Sequence, residues 1–350
     1  MNVTFLVGNG FDLNIGLKTS FKDFISYFCE KCDSNNMISK WIKDDFTNKG
    51  DFYTLDTWSD LEMQLGHRLI DVNDDLIEEF VRSKEELEIL LIKYLEEQCE
   101  NINYKKNEEI NTKTLKQSIE NLFTYCGESF ETELLNVVSA HIKEKWNYRF
   151  ITFNYTNTLD EIIDTYHRNE SINLTHKNGA ENIQDDINEV IHVHGTLDDG
   201  LVLGINDASQ INNAKLVNKG AIIGAMVKET LNRYTAHDNV QKGKTLIENS
   251  DIICVFGMSY GETDRLWWLQ VIYWLKTNGH ARLVLFEYSK HYDKRIATSV
   301  QRIKRNAVYK LQKAAGISES EINSLRARII IAVNTNLFKF DLLEGVGDEQ

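Results

Sequence analysis

The chain has no proline among its 350 residues, whereas an average content of about 5% would give roughly 17. Its loops must therefore be recognised by glycine, asparagine and charge. Long apolar runs are missing too, since none approaches the ~20 residues that span a bilayer, and Met1 leads into a strand without a basic segment or a cleavage site. We expect a cytoplasmic globular protein with no membrane partner.

Cysteine and positive charge are also scarce. The five cysteines form an odd and sparse set, which predicts reduced thiols, and Cys29 and Cys32 lack the second pair that a zinc site needs. The net charge of −14 argues against general nucleic-acid binding, because such binding depends on lysine and arginine that neutralise phosphates. We therefore expect neither a bound metal nor general nucleic-acid binding.

An apolar run at 3–7 breaks into the sequence Gly-Asn-Gly at 8–10, which we call the glycine loop. The run is typical of a buried strand, and the glycines let the backbone turn sharply and approach a ligand. The loop is not a complete dinucleotide fingerprint, because the third glycine position holds Leu13. A helical pattern after Ser20 replaces the second strand that dehydrogenases use to hold the ribose. An ordinary dehydrogenase is therefore disfavoured.

Helical periodicity dominates the region 38–145, whereas strand-like runs alternate with helices in the rest of the chain. Strands that alternate with helices predict a mainly parallel sheet, so the expected fold class is α/β, of the Rossmann type. We predict a nucleotide-binding core formed by residues 1–37 and 146–345, with 38–145 as a large helical insertion or subdomain. The predicted strands after the first are 148–153, 189–193, 201–203, 251–256, 282–286 and 329–333.

Four of the predicted strands end in residue types that bind or react with ligands. Because ligands of open parallel sheets bind outside the carboxyl ends of the strands, these four ends predict one shared site. The residues that follow the four strands are Gly8, Asn9 and Gly10; Asn154, Tyr155, Thr156 and Asn157; His194 and Gly195; and Gly257, Met258 and Ser259.

These residues also have structural interpretations, which stay open at this point. The glycines could serve only a tight turn, and Asn154 could cap a helix that begins near Thr158. Of the two neighbouring histidines, we assign a core position more readily to His192. His194 stands at the strand end, where an imidazole has room for a ligand and titrates near neutrality.

Two aspartates need separate interpretations. Asp12 would repel a pyrophosphate, so we expect it to face a ribose, a water molecule or the first-turn amides of the next helix. Asp264 stands where a helix begins, and its carboxylate would favour the positive end of the helix dipole. A structural role and a ligand-binding role are both open for Asp264.

The chain resembles the bacteriophage abortive-infection AbiH family over most of its length, with the matching segments in the same order. Its N-terminal segment, 5–19, is very similar to the signature of that family. Further matches are Thr57-Trp58-Ser59-Asp60-Leu61-Glu62, Thr152-Phe153-Asn154-Tyr155-Thr156, His194-Gly195, and Gly257-Met258-Ser259 through Asp264. The resemblance implies a role in antiphage defence.

The same landmarks are similar to sirtuin-like NAD-binding domains of bacterial defence proteins. That resemblance implies that Gly8 and Gly10 approach the dinucleotide phosphates. It also implies that Asn154 holds the nicotinamide ribose or its attacking water, that His194 is the catalytic histidine, and that Ser259 contacts the adenosine ribose. The residues assigned to cofactor binding are Gly8, Asn9, Gly10, Asp12, Thr152, Gly195, Gly257, Ser259 and Asp264.

The chain departs from the sirtuin-like pattern at specific positions. Asn9 replaces a small residue, Asp12 replaces a serine and Lys18 replaces a proline. Thr156 stands where those domains have an aspartate. The paired Cys-x-x-Cys zinc ribbon of deacylating sirtuins is missing from the sequence, so protein deacylation is not expected.

The leading hypothesis is an NAD glycohydrolase, in which water cleaves the nicotinamide glycosidic bond through an oxocarbenium-like state. Asn154 would position ribose and water, and His194 would bond the ribose hydroxyls and accept a proton. One alternative, favoured by Thr156, is a sensor that binds NAD or a related nucleotide without turnover. Another is a metal-dependent nuclease or other hydrolase that uses Asp12 and Asp264. A phage-derived trigger and a homo-oligomer are left open as partners.

Overall fold

The structure is a computed structural model that describes residues 1–126, 128–169, 171–235 and 238–343. The remaining positions of the predicted core and insertion, which are 127, 170, 236, 237, 344 and 345, lie outside the described residues. Among the residues described, no helix is both long and apolar enough to cross a membrane.

A parallel sheet forms the centre of the molecule. Its strands and those of a separate hairpin are β1 (Asn2–Val7), β2 (Asn147–Thr152), β3 (Thr175–Asn178), β4 (Glu181–Gln184), β5 (Asp186–His192), β6 (Ile252–Phe256), β7 (Arg282–Glu287) and β8 (Ile329–Val333). Strands β3 and β4 pair antiparallel, and the other six pair in parallel in the spatial order β5-β2-β1-β6-β7-β8.

The strand order identifies the type of sheet. Numbered in chain order, the six parallel strands read 3-2-1-4-5-6 across the sheet, the doubly wound order of dinucleotide-binding folds. The order reverses between β1 and β6, and ligands of such sheets bind at this switch point. The predicted α/β fold with a mainly parallel sheet is confirmed, while its sirtuin-like character stays a prediction.

Helices surround the sheet and fill the region 38–145. The helices of the described residues are α1 (Gly10–Ile15), α2 (Phe21–Lys31), α3 (Met37–Lys49), α4 (Asp51–Thr57), α5 (Leu61–Arg68), α6 (Ile77–Cys99), α7 (Glu108–Glu120), α8 (Glu128–Ala140), α9 (Thr158–Arg168), α10 (Gly220–Met226), α11 (Lys228–Tyr234), α12 (Asn239–Glu248), α13 (Arg265–Thr277), α14 (Ala297–Ala315) and α15 (Glu319–Leu325). Short 3₁₀ helices lie at Leu69–Asp71, Asp74–Leu76, Thr124–Cys126, Ala208–Gln210, Glu262–Asp264 and Arg326–Arg328.

The sheet separates two apolar cores, because successive side chains of a strand point to opposite faces. On β1, Phe5 belongs to one core together with Phe150 and Phe338. The next residue, Leu6, belongs to the opposite core together with Trp268 of α13. The rings of Phe5 and Phe150 stack with their centroids 5.0 Å apart. Burial on both faces explains why these strands are continuous apolar runs in the sequence.

A third apolar core lies among the helices. It joins Phe28 of α2 with Leu87 of α6 and Met226 of α10. These residues come from the predicted nucleotide-binding core and from the predicted insertion, and they pack together. The division of the chain at residues 37 and 145 stays a prediction.

Local structure differs from the sequence prediction at three places. The described segment 201–203 forms no strand, because Leu201 and Leu203 pack against the helical core instead of pairing with a neighbouring strand. That prediction is wrong. The hairpin of β3 and β4 was not predicted, since its strands are four residues long and mostly polar. Helix α1, only six residues long, begins at Gly10 inside the glycine loop, whereas the sequence predicts a helix only after Ser20.

Candidate functional site

The predicted strand ends meet at one cavity of about 930 Å³, beside the switch point between β1 and β6. Cavities of roughly 300 to 1,000 Å³ are typical of sites for small molecules and cofactors. The predicted site residues that line it are Gly8, Asn9, Gly10, Asp12, Asn154, His194, Gly257, Ser259 and Asp264. Thr152 and Gly195 do not belong to the described lining.

The glycine loop packs directly against the loop that follows β6. A Cβ atom on Gly10 would lie 2.5 Å from the Cα of Gly257, and one on Gly8 would lie 2.7 Å from the Cα of Met258. Gly257 has a φ of +69°, in the left-handed region that favours glycine. The three glycines are therefore required by the contact between the two loops, which together form one wall of the cavity.

Two amides of the glycine loop already have hydrogen-bond acceptors. The Gly8 N–H donates to the last carbonyl of β6 at 3.0 Å, and the Gly10 N–H donates to the Gly257 carbonyl at 2.8 Å. The Asn9 side chain ties the loop to Thr19, because its Nδ2 donates to the Thr19 carbonyl at 3.0 Å and its Oδ1 accepts from the Thr19 hydroxyl at 2.5 Å. Phosphate contacts to these two glycine amides would require that both bonds be given up.

Asp12 of α1 lines the cavity with only 1% of its surface exposed. The Thr156 hydroxyl donates to its Oδ2 at 2.7 Å, and no donor among the described residues reaches its Oδ1. Burial raises the pKa of the Asp12 carboxyl to about 7, although the Thr156 hydroxyl and the Asn154 amide act in the opposite direction. The carboxyl can therefore take up or release a proton near neutral pH.

Asn154 is buried in the turn that follows β2. Its N–H donates to the Thr152 hydroxyl oxygen at 3.1 Å, and its carbonyl oxygen lies 3.1 Å from the Nδ1 of His192. Its side-chain Oδ1 has no donor within the described part of the chain. Helix α9 begins at Thr158 after Asn157, so the interpretation of Asn154 as a helix cap is wrong. The side chain remains available to the cavity.

Three of the residues singled out from the sequence support the site from outside the described lining. The Thr152 hydroxyl oxygen accepts from the Asn154 N–H and so fixes the backbone of Asn154. His192 is buried with its Nε2 2.8 Å from the Asp160 Oδ2, in agreement with the core position assigned to it. Gly195 has a φ of +73°, and a Cβ atom there would lie 1.9 Å from the Gly200 carbonyl oxygen. Gly195 therefore forms a turn that only glycine fits.

A charge cluster, defined as Glu62, Lys228, Asp264 and His194, lies beside the cavity, and all of its members except Lys228 line it. The Lys228 ammonium is 2.9 Å from the Glu62 Oε2 and 3.0 Å from the Asp264 Oδ1. The His194 Nε2 is 3.3 Å from the same Asp264 oxygen. The other Glu62 oxygen accepts from the Gly204 N–H at 3.0 Å. Asp264 thus precedes α13 as predicted, but its carboxylate pairs with a buried ammonium.

The cluster sets the protonation of its members. Burial and the nearby Lys228 ammonium lower the pKa of His194 to about 3, against the opposing effect of Asp264. Burial alone would raise the pKa of Asp264, but Lys228 and His194 bring it below its ordinary value. The imidazole is therefore neutral at pH 7, which makes it a good hydrogen-bonding group and a weak proton acceptor.

Sequence reasoning missed two lysines of the site. Lys228 ends the apolar run 221–227, and a cation in that position is the partner that the motif carboxylates Glu62 and Asp264 require when buried. Lys310 of α14 lines the cavity, which Lys228 does not, and its ammonium is 5.6 Å from the ring centroid of Tyr260. Neither lysine stands in a recognisable motif, so only the packing of distant segments identifies them.

The described residues contain no arrangement typical of a metal site, and their cysteines are free thiols. Within them, no group of three or more His, Cys, Asp or Glu side chains is arranged to hold a metal ion. The five cysteines are free, and burial raises the pKa of Cys29 to about 11. Its thiol is therefore protonated at neutral pH.

Comparison with known proteins gives one family. A family model described as bacteriophage abortive infection AbiH matches residues 4–286. The match begins in β1 and ends within β7, so it includes the glycine loop, Asn154, Asp12 and the whole charge cluster. A comparison with curated proteins finds no match.

Proposed function

The chain belongs to the bacteriophage abortive infection AbiH family, which supports a role in antiphage defence, and we propose that it fills this role by hydrolysing NAD at the nicotinamide glycosidic bond. The observation that carries the proposal is that Asn154 and His194 line one cavity with the glycine loop, at the switch point of a 3-2-1-4-5-6 sheet. Sheets of this order bind dinucleotides across that crevice. Depletion of NAD would stop the growth of an infected cell.

Two side chains have the chemistry to orient the substrate. Asn154 would hold the nicotinamide ribose or the attacking water, because its Oδ1, without a donor among the described residues, can accept from either. His194 would bond the ribose hydroxyls as a neutral imidazole. Orientation is the main requirement, since the glycosidic bond breaks through an oxocarbenium-like state once water and ribose are aligned.

The distribution of charge supports one orientation of the substrate. The charge cluster and the neighbouring Asp60 together hold three carboxyls and one ammonium. Burial raises the pKa of Glu62 and Asp60, but this excess of acidic groups favours a cationic nicotinamide ring beside His194. Lys310 is the cation of the lining that a pyrophosphate would meet. We therefore place the nicotinamide at the cluster and the phosphates toward Lys310.

The direct test is release of nicotinamide from NAD by the purified protein, measured by chromatography. We expect His194→Ala and Asn154→Ala each to lower the rate by roughly 10²- to 10⁴-fold, the usual contribution of a positioned catalytic group. His280→Ala is the matched control, since the His280 side chain is exposed. In the described structure only the backbone N–H and carbonyl of His280 form hydrogen bonds. No release by wild-type protein, even in extracts of infected cells, while both variants still protect cells, would contradict the proposal.

A second candidate function is a sensor that binds NAD or a related nucleotide without turnover. The specific observation in its favour is the neutral His194 with a pKa lowered to about 3, since such an imidazole can hold a ribose but accepts a proton weakly. Calorimetry separates the two functions. A heat of binding with recovery of the intact nucleotide after long incubation supports the sensor, whereas product formation supports the hydrolase.

A further inference from the structure

Asp12 and Asn154 present two acceptor oxygens without donors. Both side chains line the same cavity, and a hydrogen bond from the Asn154 side chain acts to lower the pKa of the Asp12 carboxyl. No described residue donates to the Oδ1 atom of either side chain. Buried polar atoms in proteins are nearly always hydrogen-bonded, so two exceptions among the residues that line one cavity indicate that a donor from outside the chain binds there.

A water molecule is the donor that this arrangement fits. Water has two O–H groups, so it can donate one to the Asn154 carboxamide oxygen and the other to the Asp12 carboxylate. The other Asp12 oxygen is already held at 2.7 Å by the Thr156 hydroxyl, which fixes the orientation of the carboxyl.

We propose that Asp12 is the catalytic base of this site and accepts a proton from the water that attacks the nicotinamide ribose. The inference rests on the proposed hydrolysis of NAD. The oxygen of water bonds to C1′ of the ribose while the bond from C1′ to the nicotinamide nitrogen breaks, and that electron pair leaves with nicotinamide. One proton of the water passes to the Asp12 carboxylate and later to solvent. The products are nicotinamide, ADP-ribose and one proton, with no further reactant.

The protonation of the neighbouring groups agrees with this assignment. A base works best when its pKa lies near the working pH, and burial brings that of Asp12 to about 7. Burial and Lys228 hold the pKa of His194 at about 3, and Asp264 is already paired with Lys228. Of the three groups, Asp12 is the one that combines appreciable basicity with a free acceptor oxygen.

The charged and titratable groups around Asp12 come from several elements. His192 of β5 interacts with it electrostatically and is itself held between two acceptor oxygens. Cys99 at the end of α6 and Tyr104 in the following turn also face it, and burial raises the pKa of both, that of Cys99 to about 12. Both therefore stay neutral between about pH 5 and 9. A test of Asp12 must separate it from His192.

The first experiment measures nicotinamide release by Asp12→Asn, which keeps the shape of the side chain and an acceptor for Thr156. We expect a loss of roughly 10²- to 10⁴-fold in kcat, with the Kd for NAD unchanged within a few fold. Asp44→Asn is the matched control, because Asp44 is an exposed aspartate of α3 that does not line the cavity. Circular dichroism and NAD binding establish that each variant is folded.

The second experiment uses Thr156→Val, which leaves Asp12 in place and removes its hydrogen bond. Because the Thr156 hydroxyl lowers the pKa of Asp12, its loss raises that pKa, and the acidic limb of the pH profile of kcat/KM moves to higher pH. Thr156 is a positioning residue, and a purely structural role would lower the rate without moving the limb. The shift identifies Asp12 as the titrating group, since the substituted hydroxyl is bonded to its carboxyl.

The outcomes distinguish the two proposals. Release by wild-type protein together with an unchanged rate in Asp12→Asn, or with an unmoved acidic limb in Thr156→Val, overturns the role of Asp12 and leaves NAD hydrolysis standing. No release by wild-type protein at any pH overturns both. Loss of release in Asp12→Asn together with a shifted limb in Thr156→Val supports both.

Discussion

Two aspartates line the same cavity and differ in their partners: Asp12 is buried, and the Asp264 side chain is 13% exposed. Asp264 lies 3.0 Å from the Lys228 ammonium, whereas Asp12 is bonded at 2.7 Å to the neutral Thr156 hydroxyl. Burial acts on both carboxyls in the same direction and raises their pKa values. The Lys228 ammonium outweighs burial and brings the pKa of Asp264 below its ordinary value. The Thr156 hydroxyl does not outweigh burial, so the pKa of Asp12 reaches about 7. The charge of the partner therefore decides which carboxyl is ionised.

This difference divides the chemistry of the cavity. A permanently ionised Asp264 provides a fixed charge that holds His194 and favours a cationic ligand group. A carboxyl that titrates near neutrality, such as Asp12, can exchange a proton during a reaction. Titratable groups whose environments move their pKa values apart are the usual sign of separate roles in one site.

Lys228→Met has the largest effect that we expect on the difference between the two aspartates. It replaces the buried ammonium by an apolar side chain of similar length and leaves Glu62 and Asp264 without their cation. Removal of one partner from a buried charge pair costs about 3 to 5 kcal/mol, so we expect a loss of this size in urea unfolding. Lys290→Met is the control on an exposed lysine. A loss below about 1 kcal/mol would mean that the cluster is as weak as a surface ion pair.

Asp12→Asn is expected to have the opposite effect on stability. The folded protein keeps the proton of Asp12 up to about pH 7, while an unfolded chain loses it near 3.8, so the stability of wild-type protein falls as pH rises between these values. The difference corresponds to roughly 4 kcal/mol. Asparagine has no such penalty, so the variant should be more stable than wild type above pH 7 and similar to it near pH 4.

The measurement is urea unfolding of both proteins at roughly pH 4, 6 and 8, which lie near the lower end, inside and above the range between the unfolded and folded pKa values of Asp12. A difference that does not grow with pH would show that Asp12 is ionised in the folded protein, as Asp264 is. A gain in stability combined with a loss of activity is the pattern expected of a residue kept for its chemistry.

Gly10→Ala tests the contact between the glycine loop and the loop after β6, and its expected effect is the smallest. A Cβ atom would lie 2.5 Å from the Gly257 Cα, a backbone atom that cannot move aside alone. Overpacking of this kind costs about 1 to 3 kcal/mol, and we expect a loss of NAD binding as the two loops separate. Gly279→Ala is the control, because a Cβ atom there meets no described atom within 4 Å. Unchanged stability of Gly10→Ala would show that the loops are not in firm contact.

Much of the fold could be predicted from the sequence, because strands buried on both faces are continuous apolar runs. The runs that became β1, β6 and β7 are read correctly within one or two residues. The segment 201–203 has the same apolar character but packs against helices, and no local pattern distinguishes these two surroundings. The order 3-2-1-4-5-6 depends on pairing between strands far apart in the chain.

In the candidate site, too, local patterns were predicted and contacts between distant segments were not. Asn154, His194 and the glycine loop were found because each follows a recognisable strand, and a parallel sheet brings such ends together. Lys228 was missed, since it is a single lysine 166 residues from Glu62 in the sequence. The glycines were expected to approach a ligand, whereas their close contact with the loop after β6 depends on the pairing of β1 with β6.

The sequence by itself determined the family, the α/β class and the residue types that meet at the strand ends, because these depend on local patterns and motif order. The tertiary structure alone decided which carboxyl is paired and which is not. The amino-acid sequence shows Asp12 and Asp264 as the same residue type, and their pKa values differ because folding places an ammonium beside Asp264 and a neutral hydroxyl and amide beside Asp12. Electrostatic free energy depends on distance in space and on burial, and neither is a property of sequence position.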